Sequence, residues 1–418
     1  MHAELEISNV KSSKQKFESV ALAFIIFDIT IFPVSPFFSM PYSTPIALYF
    51  VIKYINRKTF NNIHAVSLFI FTLIVSTLFS FISKEPVALI DNGVSSFFVN
   101  VQKEDVKRLI YLLVGFMLYK SVYNAYYKYN LNTNLKIKRI LLFVCFSFVL
   151  FGLIFSVDIN LFYLIKGVFF NADVNMATNA VLKNAGYLSR FNFILLDPNN
   201  ACYFILIIVI FLLENYKLKS AQKTSLWIVM LLSLFLTKSL GGAYALSAYI
   251  LIKSAFVLSK RINIKKLIVS YGLVLGSLLI IVIDGYTSNI IMDSIVNSVV
   301  FQRWSSNSLS GRTDIYLEVL KETPPIIGNG YTLLRKGSYV TPHSDHLRFL
   351  YSYGIISYLS LIIMVFNRKF ISRNYLFVIP ALIAFSINSL IDEPRLLYTF
   401  VILLAITNSQ KKHEVVST

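Results

Sequence analysis

Apolar runs of membrane length recur from Val20 to Thr407, and no other feature restricts the possible folds as strongly. A helix that crosses the hydrocarbon core of a bilayer needs about 20 mostly apolar residues. The 418-residue chain is 56% hydrophobic and only 14% charged, against about 25% charge in ordinary soluble domains. The expectation is an all-α polytopic membrane protein of about twelve transmembrane helices, forming one integrated unit over residues 1–418. The spans fall near 18–34, 42–56, 63–82, 106–127, 138–158, 199–214, 224–238, 241–258, 266–283, 344–366, 373–391 and 395–409.

Charge gives the expected orientation. The net charge is +18, and most Lys and Arg sit in short connections between apolar runs. Lys53, Arg57 and Lys58 follow the second run, and Lys128, Lys136, Lys138 and Arg139 precede the fifth. Lys217, Lys219 and Lys223 form another set, as do Lys260, Arg261, Lys265 and Lys266, then Arg368, Lys369 and Arg373, then Lys411 and Lys412. With twelve spans all these sets lie on one side, which the positive-inside bias makes cytoplasmic. Both termini are then inside. This distribution accounts for the basic balance without nucleic acid. The polar first 19 residues followed by a long apolar stretch read as a retained first span behind a cytoplasmic tail. Cys145 and Cys202 both lie inside apolar runs, which gives a structural disulfide or thiolate metal site no support.

Three longer intervals fall outside: 83–105, 159–198 and 284–342. The second is partly apolar and is expected to lie along the membrane surface. The third is balanced in charge, so topology alone does not explain its arginines. Within it, Ser310-Gly311-Arg312 opens a short helix, and Gly328-Asn329-Gly330 makes a sharp turn before Tyr331. Asp197-Pro198 and Thr341-Pro342 each read as a helix start, with an N-cap residue followed by proline. Such a start can present backbone N–H groups to an anion.

The candidate residues gather around these starts. His343 and His346 can exchange protons near neutral pH, with Asp345 between them. Arg190, Arg303, Arg312, Arg335 and Arg348 lie at or near the outer face, and a guanidinium offers a planar fork suited to pyrophosphate. Arg348 falls inside the tenth span, where a charge needs a partner, and Asp345 at i−3 is the expected one. Asp197 can cap a helix or hold a sugar hydroxyl. Tyr331 can stack on a sugar ring or simply sit at the interface. Lys238 is an outer-side cation joining two spans almost without a loop. No compact ligand set points to a metal, and no Walker P-loop, dinucleotide fingerprint or HExxH motif occurs.

These stretches resemble the membrane glycan polymerase and ligase superfamily, which contains the O-antigen polymerases and O-antigen ligases. The matching residues are Arg190 through Asp197-Pro198-Asn199, Ser310-Gly311-Arg312, Gly328-Asn329-Gly330-Tyr331, and His343-Ser344 with Leu347 ahead of Tyr353-Gly354-Ile355-Ile356. Ser344 departs from the family's usual His-Asn, and Ser239-Leu240 departs from a Ser-Arg pattern near Thr237-Lys238-Ser239. The resemblance implies a bacterial inner-membrane enzyme with a large periplasmic loop. It would transfer an undecaprenyl-pyrophosphate-linked glycan onto a second lipid-linked repeat unit, without metal or other cofactor. Arg190 and Arg312 would stabilise the leaving pyrophosphate, and His343 would act as the base. Arg303, Arg335, Arg348, Asp345, His346, Asp197, Tyr331 and Lys238 would bind substrate. The implied partners are the lipid-linked donor and acceptor, the bilayer, and a chain-length regulator and flippase of the same pathway. The alternatives are an O-antigen ligase acting on lipid A-core and a lipid-linked oligosaccharide transporter.

Overall fold

The computed structural model of the chain describes residues 2–32, 41–54, 64–91, 96–128, 132–170, 190–195, 197–261, 319, 323–335, 338–340, 344–366, 368–387 and 393–416. The described residues are mainly helical. In chain order the helices are α1 (His2–Ile31), α2 (Thr44–Tyr54), α3 (His64–Ser83), α4 (Val101–Lys128), α5 (Asn132–Val157), α6 (Ile159–Phe170), α7 (Pro198–Asn215), α8 (Ser220–Thr237) and α9 (Leu240–Arg261). After the 262–318 interval come α10 (Asp345–Arg348), one π-helical turn (Phe349–Tyr353), α11 (Ile355–Val365), α12 (Arg368–Ile387) and α13 (Pro394–Val416).

The core forms around α7. Its residues from Asn199 through Leu212 are all buried, as expected of a helix that is apolar on every side. Helices α5, α8, α9, α12 and α13 all pack against it. Its start is set locally. The Asp197 carboxylate accepts from Asn199 N at 2.6 Å and Asn200 N at 3.3 Å, and Pro198 takes the first helical position. At the far end of the α7–α8 hairpin, Thr237 closes α8 and Lys238 adopts a left-handed conformation with φ 49°. Ser239 Oγ then accepts from Gly242 N at 3.1 Å and opens α9. A cap on each side of two residues explains how α8 and α9 join with almost no loop. Phe148, Phe155 and Phe162 meet Phe191 edge-on or tilted, with ring centroids 5.1–5.3 Å apart. Fully burying such a ring contributes about 1.5–3 kcal/mol, enough to anchor the segment that precedes α7.

Four short strands form one sheet in the order β2-β1-β4-β3. β1 (Val87–Asp91) and β2 (Ser96–Asn100) make an antiparallel pair between α3 and α4. β3 (Leu333–Arg335) and β4 (Ser338–Val340) make another before α10. Leu89 and Ser338 join the two pairs in parallel. The sheet was not among the sequence expectations, although its signal is present. Val87-Ala88-Leu89-Ile90 and Phe97-Phe98-Val99 are β-prone and flank Asn92-Gly93, a hairpin dipeptide.

The twelve-span expectation is corrected here. Among the described residues three helical stretches are long and apolar enough to cross a membrane: Leu135–Val157, Pro198–Asn215 and Ser220–Thr237. Ser67–Ser83, Ile355–Val365, Asn374–Ser386 and Pro394–Ser409 are apolar but shorter. The physical reasons are local. The expected tenth span, 344–366, breaks into α10, the π turn and α11 at Gly354. α2 has only 11 residues. α4 carries Lys103, Glu104, Asp105, Lys107 and Arg108 in its first two turns. The expected span 266–283 lies outside the described residues. The multi-pass inner-membrane topology with both termini cytoplasmic depended on the even count of twelve and falls with it.

Candidate functional site

A cluster of charged and aromatic side chains forms where Tyr331 meets α4 and α10. Tyr331 is buried, and the guanidinium of Arg348 lies over its ring, 4.5 Å from the centroid. Arg348 Nη1 also donates to the Tyr331 hydroxyl. The guanidinium of Arg108 lies 5.1 Å from the same centroid and 5.4 Å from that of Tyr111. Two cations thus share one aromatic residue, an arrangement favourable for each cation against the ring face and unfavourable between the cations. Burial first, and then the neighbouring Arg108, push the Arg348 guanidinium below its ordinary range. It remains a cation, since arginine keeps its charge in proteins.

Backbone geometry holds Tyr331 in this position. Gly330 adopts φ +90°, and a Cβ there would lie 2.6 Å from Asp105 Oδ2. Asp105 is fully buried in the first turns of α4. Its carboxylate accepts from Thr332 N at 2.6 Å, from Lys84 Nζ at 3.1 Å and from Ser80 Oγ. Lys84 Nζ in turn donates to Thr332 O at 2.5 Å and Thr332 Oγ1 at 2.9 Å. Burial is the larger influence on Lys84 and lowers its pKa, while Asp105 opposes the shift. One buried ion pair therefore grips both the amide and the carbonyl of the residue after Tyr331. From the other side, Ser352 Oγ donates to Tyr331 O at 2.9 Å, and Ser76 Oγ donates to Tyr353 O at 3.1 Å.

The break between the π turn and α11 serves the same site. Gly354 has φ +92°, and a Cβ on it would lie 2.6 Å from Gly328 N and from Ile326 O. The first α11 amides find carbonyls in the 325–328 segment: Ile355 N donates to Pro325 O at 2.9 Å and Ile356 N to Ile326 O at 3.3 Å. Gly328 N returns a bond to Tyr353 O at 3.1 Å. The orphan donors of a helix start thereby become the anchor for the segment that delivers Tyr331.

The expected site residues divide into several groups. His343, Arg303 and Arg312 lie outside the described residues. Arg335 ends β3, where only its backbone is described. The helix expected to open at Thr341-Pro342 opens instead after Ser344, whose hydroxyl accepts from Leu347 N at 3.4 Å. Asp345 is buried in that first turn. His346 Nε2 donates to Leu382 O at 3.1 Å, which leaves Nδ1 to accept from the Tyr358 hydroxyl at 3.3 Å. Both ring nitrogens are thus engaged between α12 and α11.

Arg190, expected at a leaving pyrophosphate, lies between the end of α8 and the start of α7. Its Nε donates to Thr237 O at 2.8 Å, and its Nη2 donates to Asn199 Oδ1 at 2.8 Å and Lys238 O at 3.3 Å. It caps the C-terminus of α8 and ties it to the first turn of α7. Asp197 occupies the α7 amides that were expected to receive an anion. Lys238 is the left-handed residue closing α8.

Sequence reasoning passed over Arg108, Asp105, Lys84 and Lys166. Each is a charged residue within or beside an apolar run, which by itself calls for a partner. The glycan polymerase, ligase and transporter readings, with their membrane-embedded transfer chemistry, rested on the twelve-helix bundle and are withdrawn with it. Among the described residues no group of three His, Cys, Asp or Glu side chains could hold a metal ion. No protein-family model matches the chain, and no curated protein sequence matches it.

Proposed function

We propose that this chain is a lipid-associated binding protein for an anionic, phosphate-bearing amphiphile, with Arg108, Tyr331 and Arg348 at the centre of the site. The observation that carries this reading is the pair of guanidiniums on the single ring of Tyr331. An anion at the edge of the pair offsets the repulsion between them, and a guanidinium fork matches phosphate oxygens. Arg108 supplies the accessible edge, with its side chain 12% exposed, and Lys107 lies beside it at 27%. Glu104 lies 3.6 Å from Arg108 Nη2 and 3.5 Å from Lys107 Nζ, so a bound anion would share these cations with it.

The lipid side of the proposal is supported by the apolar surface. Phe143, Phe146, Leu150, Leu153 and Val157 are exposed along α5, and Ile228, Leu231 and Phe235 along α8. Both helices belong to the three stretches of membrane-crossing length. The ligand class we favour is a polyprenyl-pyrophosphate-linked oligosaccharide presented in a bilayer, held without any transfer of its glycan.

The test uses the full chain in nanodiscs, titrated with polyprenyl pyrophosphate and with the uncharged polyprenol. Binding of the pyrophosphate alone is expected. Arg108→Gln should weaken it about 10- to 100-fold, the loss of a charge-assisted bond worth about 1.5–3 kcal/mol. Equal affinity for pyrophosphate and polyprenol, or an unaffected Arg108→Gln variant, overturns the proposal.

A further inference from the structure

Helices α5 and α8 pack together and run in the same direction. Gly152 of α5 backs onto α8, where a Cβ on it would lie 2.6 Å from Leu236 Cδ1. Phe191 ties the same level together: its amide donates to Leu236 O at 3.1 Å, and its ring meets Phe148 and Phe155. Further from that end, Phe193 joins Phe148 to Phe204, in the second turn of α7, with ring centroids 5.4 and 6.4 Å apart. α7 itself runs against α8, with Cys202 Sγ 3.8 Å from Ser233 Oγ. Thirteen residues before Gly152 and Leu236 stand Arg139 and Lys223, about 20 Å back along each helix. The fold therefore brings the basic starts of α5 and α8 to one end.

At that end Lys136, Arg139, Lys217, Lys219 and Lys223 are all exposed. The carboxylate of Glu214 is there too, and it accepts from Lys253 Nζ at 2.6 Å and from the Tyr249 hydroxyl at 2.5 Å. Beyond the basic end the surface changes character. Phe143, Phe146, Leu150 and Leu153 are exposed on α5, and Ile228, Leu231 and Phe235 on α8. Their spacing of three and four residues makes one stripe on each helix. Between Lys223 and the α8 stripe stands Trp227, half-buried, with its ring 6.2 Å from that of Tyr249. Tryptophan favours the boundary between headgroups and hydrocarbon. Exposed cations, an indole and then exposed apolar side chains follow the order of layers in a bilayer. A solvated charge run would explain the lysines but not the apolar stripes beside them.

We infer that the α5–α8 face is seated against lipid and that its basic end binds the anionic headgroups of acidic phospholipids. The inference keeps the lipid setting of the proposed function but uses none of the residues of the Tyr331 site. Lysine and arginine side chains near an anionic bilayer surface each contribute about fivefold in affinity. Their long stems let the charged heads reach the headgroups while the apolar stripes stay against the acyl chains. The surface thus has a direction, and the lipid leaflet richer in acidic headgroups takes the end with Arg139 and Lys223.

The experiment reads Trp227 fluorescence in the full chain carrying Trp304→Phe, in nanodiscs of phosphatidylcholine and phosphatidylglycerol with one lipid at a time brominated on its acyl chains. If that variant does not fold, the difference between the wild type and Trp227→Phe gives the same signal. Both brominated lipids should quench, and phosphatidylglycerol should quench as a lipid enriched about fivefold or more over phosphatidylcholine. The combined variant Lys136→Gln, Arg139→Gln, Lys217→Gln, Lys219→Gln and Lys223→Gln should bring the two lipids level. High salt, which screens exposed charges, should do the same in the unsubstituted chain. Arg108→Gln should leave the preference intact. An absence of quenching, equal quenching without the substitutions, a preference that survives them, or its loss in Arg108→Gln overturns the inference. No polyprenyl pyrophosphate enters the assay, so a failure of that ligand to bind leaves its result standing.

Discussion

Removing the Asp105 carboxylate is the sharpest test of how Tyr331 is held. The buried pair Lys84–Asp105 has side chains only 4% and 0% exposed, so solvent cannot replace what the substitution removes. Asp105→Ala strips Lys84 of its counter-ion and Thr332 N of its acceptor at 2.6 Å. Breaking a buried pair from one side costs about 3–5 kcal/mol, because the remaining charge is left uncompensated. Asp105→Asn keeps an acceptor for Thr332 N but still leaves Lys84 without its counter-ion, so it should lose most of the same stability. The double variant Lys84→Met with Asp105→Leu removes both charges, and replacement of a whole buried pair by apolar groups is often close to neutral. Most of the loss should therefore be recovered. Denaturant titration of the detergent-solubilised chain measures all three. The reasoning would be refuted if Asp105→Ala cost less than about 1 kcal/mol, or if the double variant were no more stable than Asp105→Ala.

Two further outcomes follow from local geometry. Gly354→Ala places a Cβ 2.6 Å from Gly328 N and Ile326 O at a left-handed φ of +92°. Strain of this kind costs about 1–3 kcal/mol, so the melting temperature should drop and proteolysis should favour the 325–328 segment; an unchanged melting temperature would contradict the proposed anchor. Arg190→Lys should fail to rescue the loss caused by Arg190→Met, because one ammonium cannot reproduce the fork that spans Thr237 O, Asn199 Oδ1 and Lys238 O. Protease sensitivity at the α8–α9 junction reads this directly, and full protection in Arg190→Lys would show that charge alone suffices there.

The chain's helical character was legible residue by residue. The Asp197-Pro198 start of α7 and the abrupt junction at Lys238-Ser239 are local arrangements, and local rules locate them. The Asn92-Gly93 dipeptide between two β-prone runs was equally legible as a hairpin signal, and it lies within the connection between β1 and β2. The span count was not legible in the same way. Apolar composition records that residues avoid water, and α7 avoids it by burial among other helices as completely as a lipid-facing helix would. Hydropathy alone does not separate these cases, and it does not register the break at Gly354 that divides the tenth apolar run.

The partners of the charged residues were decided only by the tertiary structure. Asp105 and Thr332 are 227 positions apart, and Lys84 and Thr332 are 248 apart. Nothing in the spacing of the chain links them. Arg348, three residues after Asp345, meets the ring of Tyr331 and shares it with Arg108. Arg190, expected to meet an anion, donates to the last carbonyls of α8. The sequence by itself determined which residues are apolar, where helices can begin, and that each charge beside an apolar run must be matched. Which group matches it depends on how the helices pack, because a buried charge is satisfied by whatever the fold brings within reach.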